Sequence, residues 1–316
     1  MLAIVIIVEV SSKVKKLLSV VGPTAIGKTQ LAIALARHFD TEIISADSRQ
    51  FYKEIEIGTA VPSKEELELA KHHFVQHKSI FENYSVGDFE RDAMKLLNNI
   101  FTENDVVIMV GGSGLYVDAV TKGFDKFPEI DLKIRERLNQ KLADKGIVAL
   151  QKELKKYDPM YYNRVDLENP HRLIRALEVS IGTGKPYSSF LSKEIKNRPF
   201  ETVTIGLDAD RQHIYNRINK RVDRMVEMGL VAEAKALEPF KSLNALQTVG
   251  YKELFNYFEG EYTLEFALSE IKKNTRRFAK RQLTWFKRNS DCLWFAYDSA
   301  FDEIISRLEK KHFEKK

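Results

Sequence analysis

The sequence predicts an α/β fold, a parallel sheet flanked by helices and interrupted by an inserted helical subdomain. Three observations carry this expectation. Short apolar runs rich in β-branched residues alternate with helical stretches, the pattern of a parallel sheet covered on both faces. The first clear run passes through a Gly-rich turn directly into a helix. Strand signals then vanish between Lys122 and Arg198, where the chain turns charged and helical, with breakers at Pro128, Pro159, Pro170 and residues 182–186.

Taken in order, residues 2–8 form an unbroken apolar run, far short of the roughly 20 residues that span a bilayer. Lys13, Lys15 and Lys16 follow this run rather than precede it, which argues against a secretory signal. Residues 1–16 therefore read as an N-terminal extension, an extra strand at most. The first strand is LLSVV at 17–21, and the helix TQLAIALARH follows at 29–38. A second strand, EIIS at 42–45, ends in Ala46-Asp47. After a smaller excursion over 61–92 comes a third, VVIMV at 106–110, ending in Gly111-Gly112-Ser113-Gly114. The insertion occupies 122–198. TVTIGL at 202–207 and LWFAY at 293–297 supply the fourth and fifth strands, with mostly helical sequence between them. The core is thus 17–121 together with 199–316. Polar residues just past the ends of its strands are the candidates for a site, because ligands of such sheets bind at that edge.

Composition narrows the classes. A chain of 316 residues suggests roughly two domains. With 44% hydrophobic residues and 19 Phe it has material for a large core and is not a disordered chain. A net charge of +5 permits a nucleic-acid partner without arguing for one. The single Cys292 excludes an internal disulfide and a Cys2His2 zinc finger. No apolar run reaches membrane-spanning length, so the expectation is a cytoplasmic protein without a membrane partner.

The most specific local signal is Gly22-Pro23-Thr24-Ala25-Ile26-Gly27-Lys28-Thr29, which matches G-x-x-x-x-G-K-[ST] between a strand and a helix. Glycines allow successive N–H groups to point inward as an anion nest. The helix that follows aims its positive end at the same place. Lys28 adds a full charge, and the Thr29 hydroxyl is suited to Mg²⁺. A nucleotide hydrolase would also carry an acid at the end of an apolar strand, yet VVIMV ends in Gly-Gly-Ser-Gly. The nearby acid is Asp47, in Asp47-Ser48-Arg49-Gln50. Asp47 reads either as a turn or N-cap residue, or as a general base or metal ligand. The cradle therefore suits a diphosphate that is not being hydrolysed.

Several separated strings resemble one family, the tRNA dimethylallyltransferases, also called tRNA isopentenyltransferases. They are VVGPTAIGKT, ISADSRQFYKEIEIGTA, HHF at 72–74, VGGSGLYVDAV, NPHRLIRALEV, NKRVDRMVEMGL, LQTVGYKEL and TRRFAKRQLTWFKR, spread over about residues 18–288. The resemblance implies a P-loop-NTPase-like core and transfer of a dimethylallyl group from dimethylallyl diphosphate. The acceptor it implies is the exocyclic amine of the adenosine 3′ of the anticodon, with Mg²⁺ as cofactor and a monomeric enzyme. Asp47 is then the general base, and Lys28, Thr29, Ser113 and Lys252 work around the reacting groups. The diphosphate is implied to lie on Gly22–Thr29. Contact with the tRNA anticodon stem-loop is implied for Asp47, Ser48, Arg49, Gln50 and Ser113, and for Arg135, His171, Arg172, Leu173, Ile174 and Arg175 of the insertion. The residues alone favour reading Arg135, in KIRERL, as part of a solvated helix face.

The sequence departs from the family pattern in three places. Ser113 replaces the usual Thr and keeps the hydroxyl, Val61-Pro62 loses a Lys, and Gln247 stands where Arg is common. Residues 272–288 contain eight cations and no acid. Arg277, Lys280, Arg281, Thr284 and Arg288 fall at three- and four-residue steps, so they share one helix face, either a basic surface or a track for RNA phosphates. Leu283 and Phe286 turn inward. His72, His73 and His77 superficially suggest a metal cluster, but no acid or Cys completes it, and a packed or RNA-facing loop is the expectation. Three rival readings are an adenylate isopentenyltransferase acting on free nucleotide, a P-loop nucleotide kinase, and an RNA-binding ATPase switch.

Overall fold

The computed structural model describes residues 14–125, 127–191 and 197–313. The chain divides into two compact units, residues 1–122 with 197–316, and residues 123–196. The inserted unit is thus narrower than the expected 122–198. Arg198 belongs to the first unit, where its guanidinium donates to the Ala119 carbonyl and pairs with Glu90. The expected extension lies outside the described residues over 1–13, and Lys16 is already part of the first strand.

The first unit begins with β1 (Lys16–Val21), α1 (Lys28–His38), β2 (Ile43–Ser45), α2 (Lys64–Leu69) and β3 (His72–His73). α3 (Val86–Ile100), β4 (Val106–Val110) and α4 (Gly114–Thr121) follow. The inserted unit holds α5 (Leu132–Tyr157), α6 (Pro159–Tyr162) and α7 (Pro170–Thr183). The chain then returns through β5 (Glu201–Asp208), α8 (Arg211–Glu227), α9 (Leu230–Leu237), α10 (Tyr251–Phe258), α11 (Leu264–Phe286), β6 (Leu293–Ala296) and α12 (Phe301–Leu308).

Among the described residues the strands form one six-stranded sheet in the order β3-β2-β4-β1-β5-β6, parallel throughout. The sixth strand, β3, has only two residues, both histidine, and offers no apolar signal to read. His72 and His73 pair with Ile43 and Ile44 at the sheet edge. His73 bonds Glu42 at 2.6 Å, and the His72 ring nitrogen lies 2.7 Å from the Ala70 carbonyl. His77 packs edge-on to Phe51, Phe74 and Tyr84, and burial pushes its pKa down to about 4. His72 also lines the cavity beside the Gly-rich turn, and among the described residues no group of three or more His, Cys, Asp or Glu is placed to hold a metal ion.

The central strand β1 is buried along its whole length. Its period-two alternation sends Leu17 and Val21 to one face and Leu18 and Val20 to the other. Each face has its own apolar cluster. Ile44, Val107 and Met109 join the first, and Ile43, Ile108, Val110 and Ile205 the second. Full burial of each such side chain contributes about 1.5–3 kcal/mol. The central strand therefore anchors the turn that leaves its C-terminal end.

In the inserted unit, Leu138, Leu150 and Leu154 of α5 pack on Leu173, Ile174 and Leu177 of α7. A left-handed Gly146 (φ 69°) breaks α5 into two helical segments. Buried Asp158 caps α6 and also accepts the Ser188 N–H and hydroxyl, tying the α5–α6 junction to the segment after α7. Among the described residues no helix is long and apolar enough to cross a membrane.

Candidate active site

β1 ends at Val21, and the chain turns at once through Gly22 into the cradle. Gly22 has φ 145°, and a Cβ there would lie 2.7 Å from the Leu207 carbonyl oxygen on β5. Only glycine tolerates both the angle and the contact. Ala25 (φ 63°) and Gly27 (φ 113°) are also left-handed, which wraps the loop before α1 starts at Lys28. The Lys28 ammonium donates to the Pro23 carbonyl at 2.8 Å, so it folds back across the loop it serves. Burial pushes its pKa down to about 8. Nearby Asp47 opposes that shift and Arg221 adds to it.

A residue that the sequence reading left without a role locks the cradle. Gln282 of α11 is buried, accepts the Thr24 N–H at 2.8 Å and donates to the Gly112 carbonyl at 2.9 Å. It thereby joins the turn after β1 to the Gly-Gly-Ser-Gly turn after β4. A Cβ on Gly112 would sit 2.2 Å from the Gln282 amide nitrogen, and one on Gly114 would sit 2.3 Å from the Trp285 ring. Both glycines are there so that α11 can approach. The spacing of Ala279, Gln282 and Phe286, all buried, was a usable signal, since it marks one inward helix face.

Asp47 follows β2 and Ala46. Its carboxylate accepts the Arg49 N–H at 3.1 Å, the turn geometry the sequence allowed, yet Asp47 also lines the cavity of the cradle. Ser48 and Ser113 meet, with the Ser48 N–H 3.0 Å from the Ser113 hydroxyl and the two hydroxyls 3.1 Å apart. The Gln50 amide donates to the carbonyls of Thr59 and Ala60 at 3.3 and 2.9 Å. The Arg49 guanidinium donates to the carbonyls of Asn244 and Ala245, and the residue lines a cavity together with Asp47, Ser48 and Ser113.

Two cavities adjoin here. One, of about 400 Å³, is lined by the cradle from Thr24 to Thr29, by Asp47, and by Arg217, Lys220, Arg221 and Arg224 from one side of α8. The other, of about 660 Å³, has the apolar side chains of Ile218, Val222, Met225, Leu230 and Ile271, together with Ser113, Lys252 and Trp285. Thr24, Asp47 and Arg221 belong to both walls. Arg221 is the second residue the sequence reading missed. Its guanidinium brings a cation to the wall of both cavities. Gln247 itself donates to the Lys241 carbonyl at 2.6 Å on the rim of the larger cavity. Val61 follows the left-handed Ala60, and Pro62 lines the polar cavity without a charge.

The donor set fits Mg²⁺ in one way only. Thr29 and Asp47 bring a hydroxyl and a carboxylate to the polar cavity, far short of a protein cage. Mg²⁺ is commonly held by one or two protein groups with substrate phosphate oxygens and water.

The residues expected to meet RNA separate into distinct groups. Arg277, Lys280, Arg281, Thr284 and Arg288 are all exposed on α11 and its end, while Leu283 is half-buried and Phe286 buried. In the inserted unit, His171 and Arg172 are exposed at the start of α7. Leu173 and Ile174 depart from the expectation. They are buried in that unit's own core, which leaves their side chains no surface for RNA. Arg135 and Arg175 both pair with buried Glu178, and Arg175 also lies 4.9 Å over the Phe127 ring. Each keeps a partly exposed side chain.

The family model described as IPP transferase matches residues 50–289. A tRNA dimethylallyltransferase of Flavobacterium johnsoniae is 60% identical over 297 residues, covering 92% of this chain and 96% of its own. One from Bacteroides thetaiotaomicron is 46% identical, covering 92% and 94%. The crystal structure of the full-length tRNA isopentenylpyrophosphate transferase from Bacillus halodurans superposes with a TM-score of 0.69 at 39% identity, covering 94% of this chain and 95% of that one. A eukaryotic dimethylallyltransferase acting on tRNA gives a TM-score of 0.75 at 27% identity, covering 95% and 77%. Matched by such relatives over nearly its whole length, this protein belongs to the IPP transferase family, the tRNA dimethylallyltransferases.

Proposed function

We propose that the chain transfers the dimethylallyl group of dimethylallyl diphosphate to the exocyclic amine of the adenosine 3′ of the anticodon, position 37 of tRNA, forming N6-isopentenyladenosine. One observation carries the reading: Asp47 stands in the wall common to a cation-rich cradle and a larger, partly apolar cavity. The diphosphate lies in the first, on residues 22–29, and the allylic group extends toward the second. The amine nitrogen forms a bond to the allylic carbon as the carbon–oxygen bond breaks. Diphosphate leaves with that electron pair, and Asp47 takes the amine proton.

The chain's contribution to the barrier is mainly electrostatic. Negative charge grows on the departing diphosphate, and fixed donors aimed there stabilise the transition state. Lys28, Arg221 and the N–H groups of the cradle do this from the polar cavity, with Lys252 at the rim of the other. Gln282, by accepting the Thr24 N–H, holds that end of the cradle loop in place before substrate arrives. Thr29, with Asp47 nearby, would hold a Mg²⁺ ion together with phosphate oxygens and water, and such an ion would neutralise part of the diphosphate charge. The Ser48–Ser113 pair and Gln50 face the adenosine, a base that must leave the loop stack to be reached. His171, Arg172, Arg135 and Arg175 of the inserted unit, and Arg277, Lys280 and Arg281 of α11, contact the tRNA backbone.

Neither prenylation of free AMP nor phosphoryl transfer from ATP finds support among the relatives. The test is to incubate the protein with labelled dimethylallyl diphosphate and either tRNA or AMP. Label in tRNA alone is the expected result. Label in AMP, or ATP consumption without labelling, contradicts the reading.

A further inference from the structure

On α9, outside every motif considered above, Glu233 gathers an unusual number of donors. Its carboxylate accepts the N–H of Ile57 at 2.8 Å, of Gly58 at 3.0 Å and of Glu56 at 3.1 Å. The Tyr251 phenol of α10 adds a fourth bond at 2.6 Å. Hydrogen bonds to an ionised carboxylate are about twice as strong as neutral ones. Four on one side chain fix three consecutive peptide units of an otherwise irregular loop. The packing is equally tight, since a Cβ on Gly58 would lie 2.5 Å from the Tyr251 oxygen.

The loop so held leads directly to the site. Thr59 is buried, and its hydroxyl is bonded back to the Ile55 carbonyl. Ala60 is left-handed at φ 48°, a strained angle for a residue with a Cβ. The backbone carbonyls of these two residues are the acceptors that hold the Gln50 amide, at 3.3 and 2.9 Å. Gln50 in turn sits on the turn of Asp47, with its N–H bonded to the Asp47 carbonyl.

We infer that Glu233 is a positioning residue for the acceptor side of the site: by clamping residues 56–58 it aims the Thr59 and Ala60 carbonyls that orient Gln50 beside Asp47. The inference rests on the proposed transfer to tRNA for its catalytic consequence, though the clamp itself is independent of that reading. Glu233→Gln keeps the shape, cannot accept on its nitrogen, and so loosens the loop. Tyr251→Phe removes one of the four donors and is the milder probe if the first variant folds poorly.

Two measurements test it. Hydrogen–deuterium exchange over residues 55–60 should rise in Glu233→Gln with no substrate present. In steady-state kinetics, kcat/KM for tRNA should fall by about 10- to 100-fold, the scale of a small misplacement at a reacting centre, while KM for dimethylallyl diphosphate holds. The double variant Glu233→Gln/Gln50→Ala should be no worse than the more impaired single variant, because both act through one amide. Unchanged exchange over 55–60 overturns the inference, and so do multiplicative losses in the double variant or an equal rise in KM for the diphosphate. Wild-type protein that leaves tRNA unlabelled while the exchange result holds would instead strike the functional reading and spare the clamp.

Discussion

Replacing Gln282 by leucine tests whether the cradle is held from α11. The change keeps the bulk of the side chain and deletes both polar atoms. The Gly112 carbonyl loses its bond in a buried setting, and the Thr24 N–H loses its bond in a half-buried one. Stranding the buried carbonyl costs about 1–3 kcal/mol, and losing the second bond about 0.5–1.5 kcal/mol. A midpoint of about 3 kcal/mol lowers Tm by about 6–12 °C, at about 2–4 °C per kcal/mol. The same bond fixes the Thr24 end of the cradle, so KM for dimethylallyl diphosphate should rise about tenfold for each 1.4 kcal/mol of binding lost as the loop loosens. Gln282→Glu is the sharper companion. It keeps an acceptor for Thr24, faces a carboxylate toward the Gly112 carbonyl, and adds negative charge to a site built for an anion. Thermal melts and steady-state kinetics on both variants read the outcome. A Gln282→Leu protein with wild-type Tm and wild-type KM for the diphosphate would refute the reasoning.

Three further outcomes are expected. Asp47→Asn should lower kcat by about 10²–10⁴-fold, the usual contribution of a positioned general base, with tRNA affinity nearly unchanged; a parallel loss of affinity removes the general-base role. Lys28, with its pKa pushed down to about 8, is charged below that value and neutral above it. Affinity for the diphosphate should therefore weaken as pH rises through about 8, and binding above it should take up a proton, visible by calorimetry in buffers of different ionisation enthalpy. Proton-neutral binding there contradicts the assignment. Lys280→Ala or Arg281→Ala should each reduce the slope of log affinity for tRNA against log salt by about 0.7–1, and an unchanged slope would mark the α11 face as an idle basic surface.

Much of this architecture is visible in local sequence. The alternation of apolar strands and helices reflects burial on both sheet faces, and burial is a period that can be read. The cradle is legible because its backbone angles demand glycine at fixed places. The α11 face is legible because helical spacing alone brings Arg277, Lys280, Arg281, Thr284 and Arg288 to one side, where all are exposed. What escaped reading depends on distant partners. Nothing near Gln282 in sequence announces Thr24, 258 positions away. Nothing near Arg49 in sequence announces its bonds to the carbonyls of Asn244 and Ala245. Arg221 resembles any charge on a solvated helix, and only the fold sets it across the cavity from Lys28. Leu173 and Ile174 lie within a matching string, but the α5–α7 packing turns them inward. The two-residue β3 exists because β2 offers a free edge, a property of the sheet rather than of His72-His73.

The central claim is that the Gly-rich cradle grips a departing diphosphate while a neighbouring carboxylate deprotonates an adenine amine. Its most direct test counts products in a single reaction with unmodified tRNA, dimethylallyl diphosphate, Mg²⁺ and ATP together. Equal amounts of pyrophosphate and N6-isopentenyladenosine, with ATP intact and no orthophosphate released, are the expected result. Orthophosphate and ADP accumulating while the tRNA stays unmodified would contradict the account at its root.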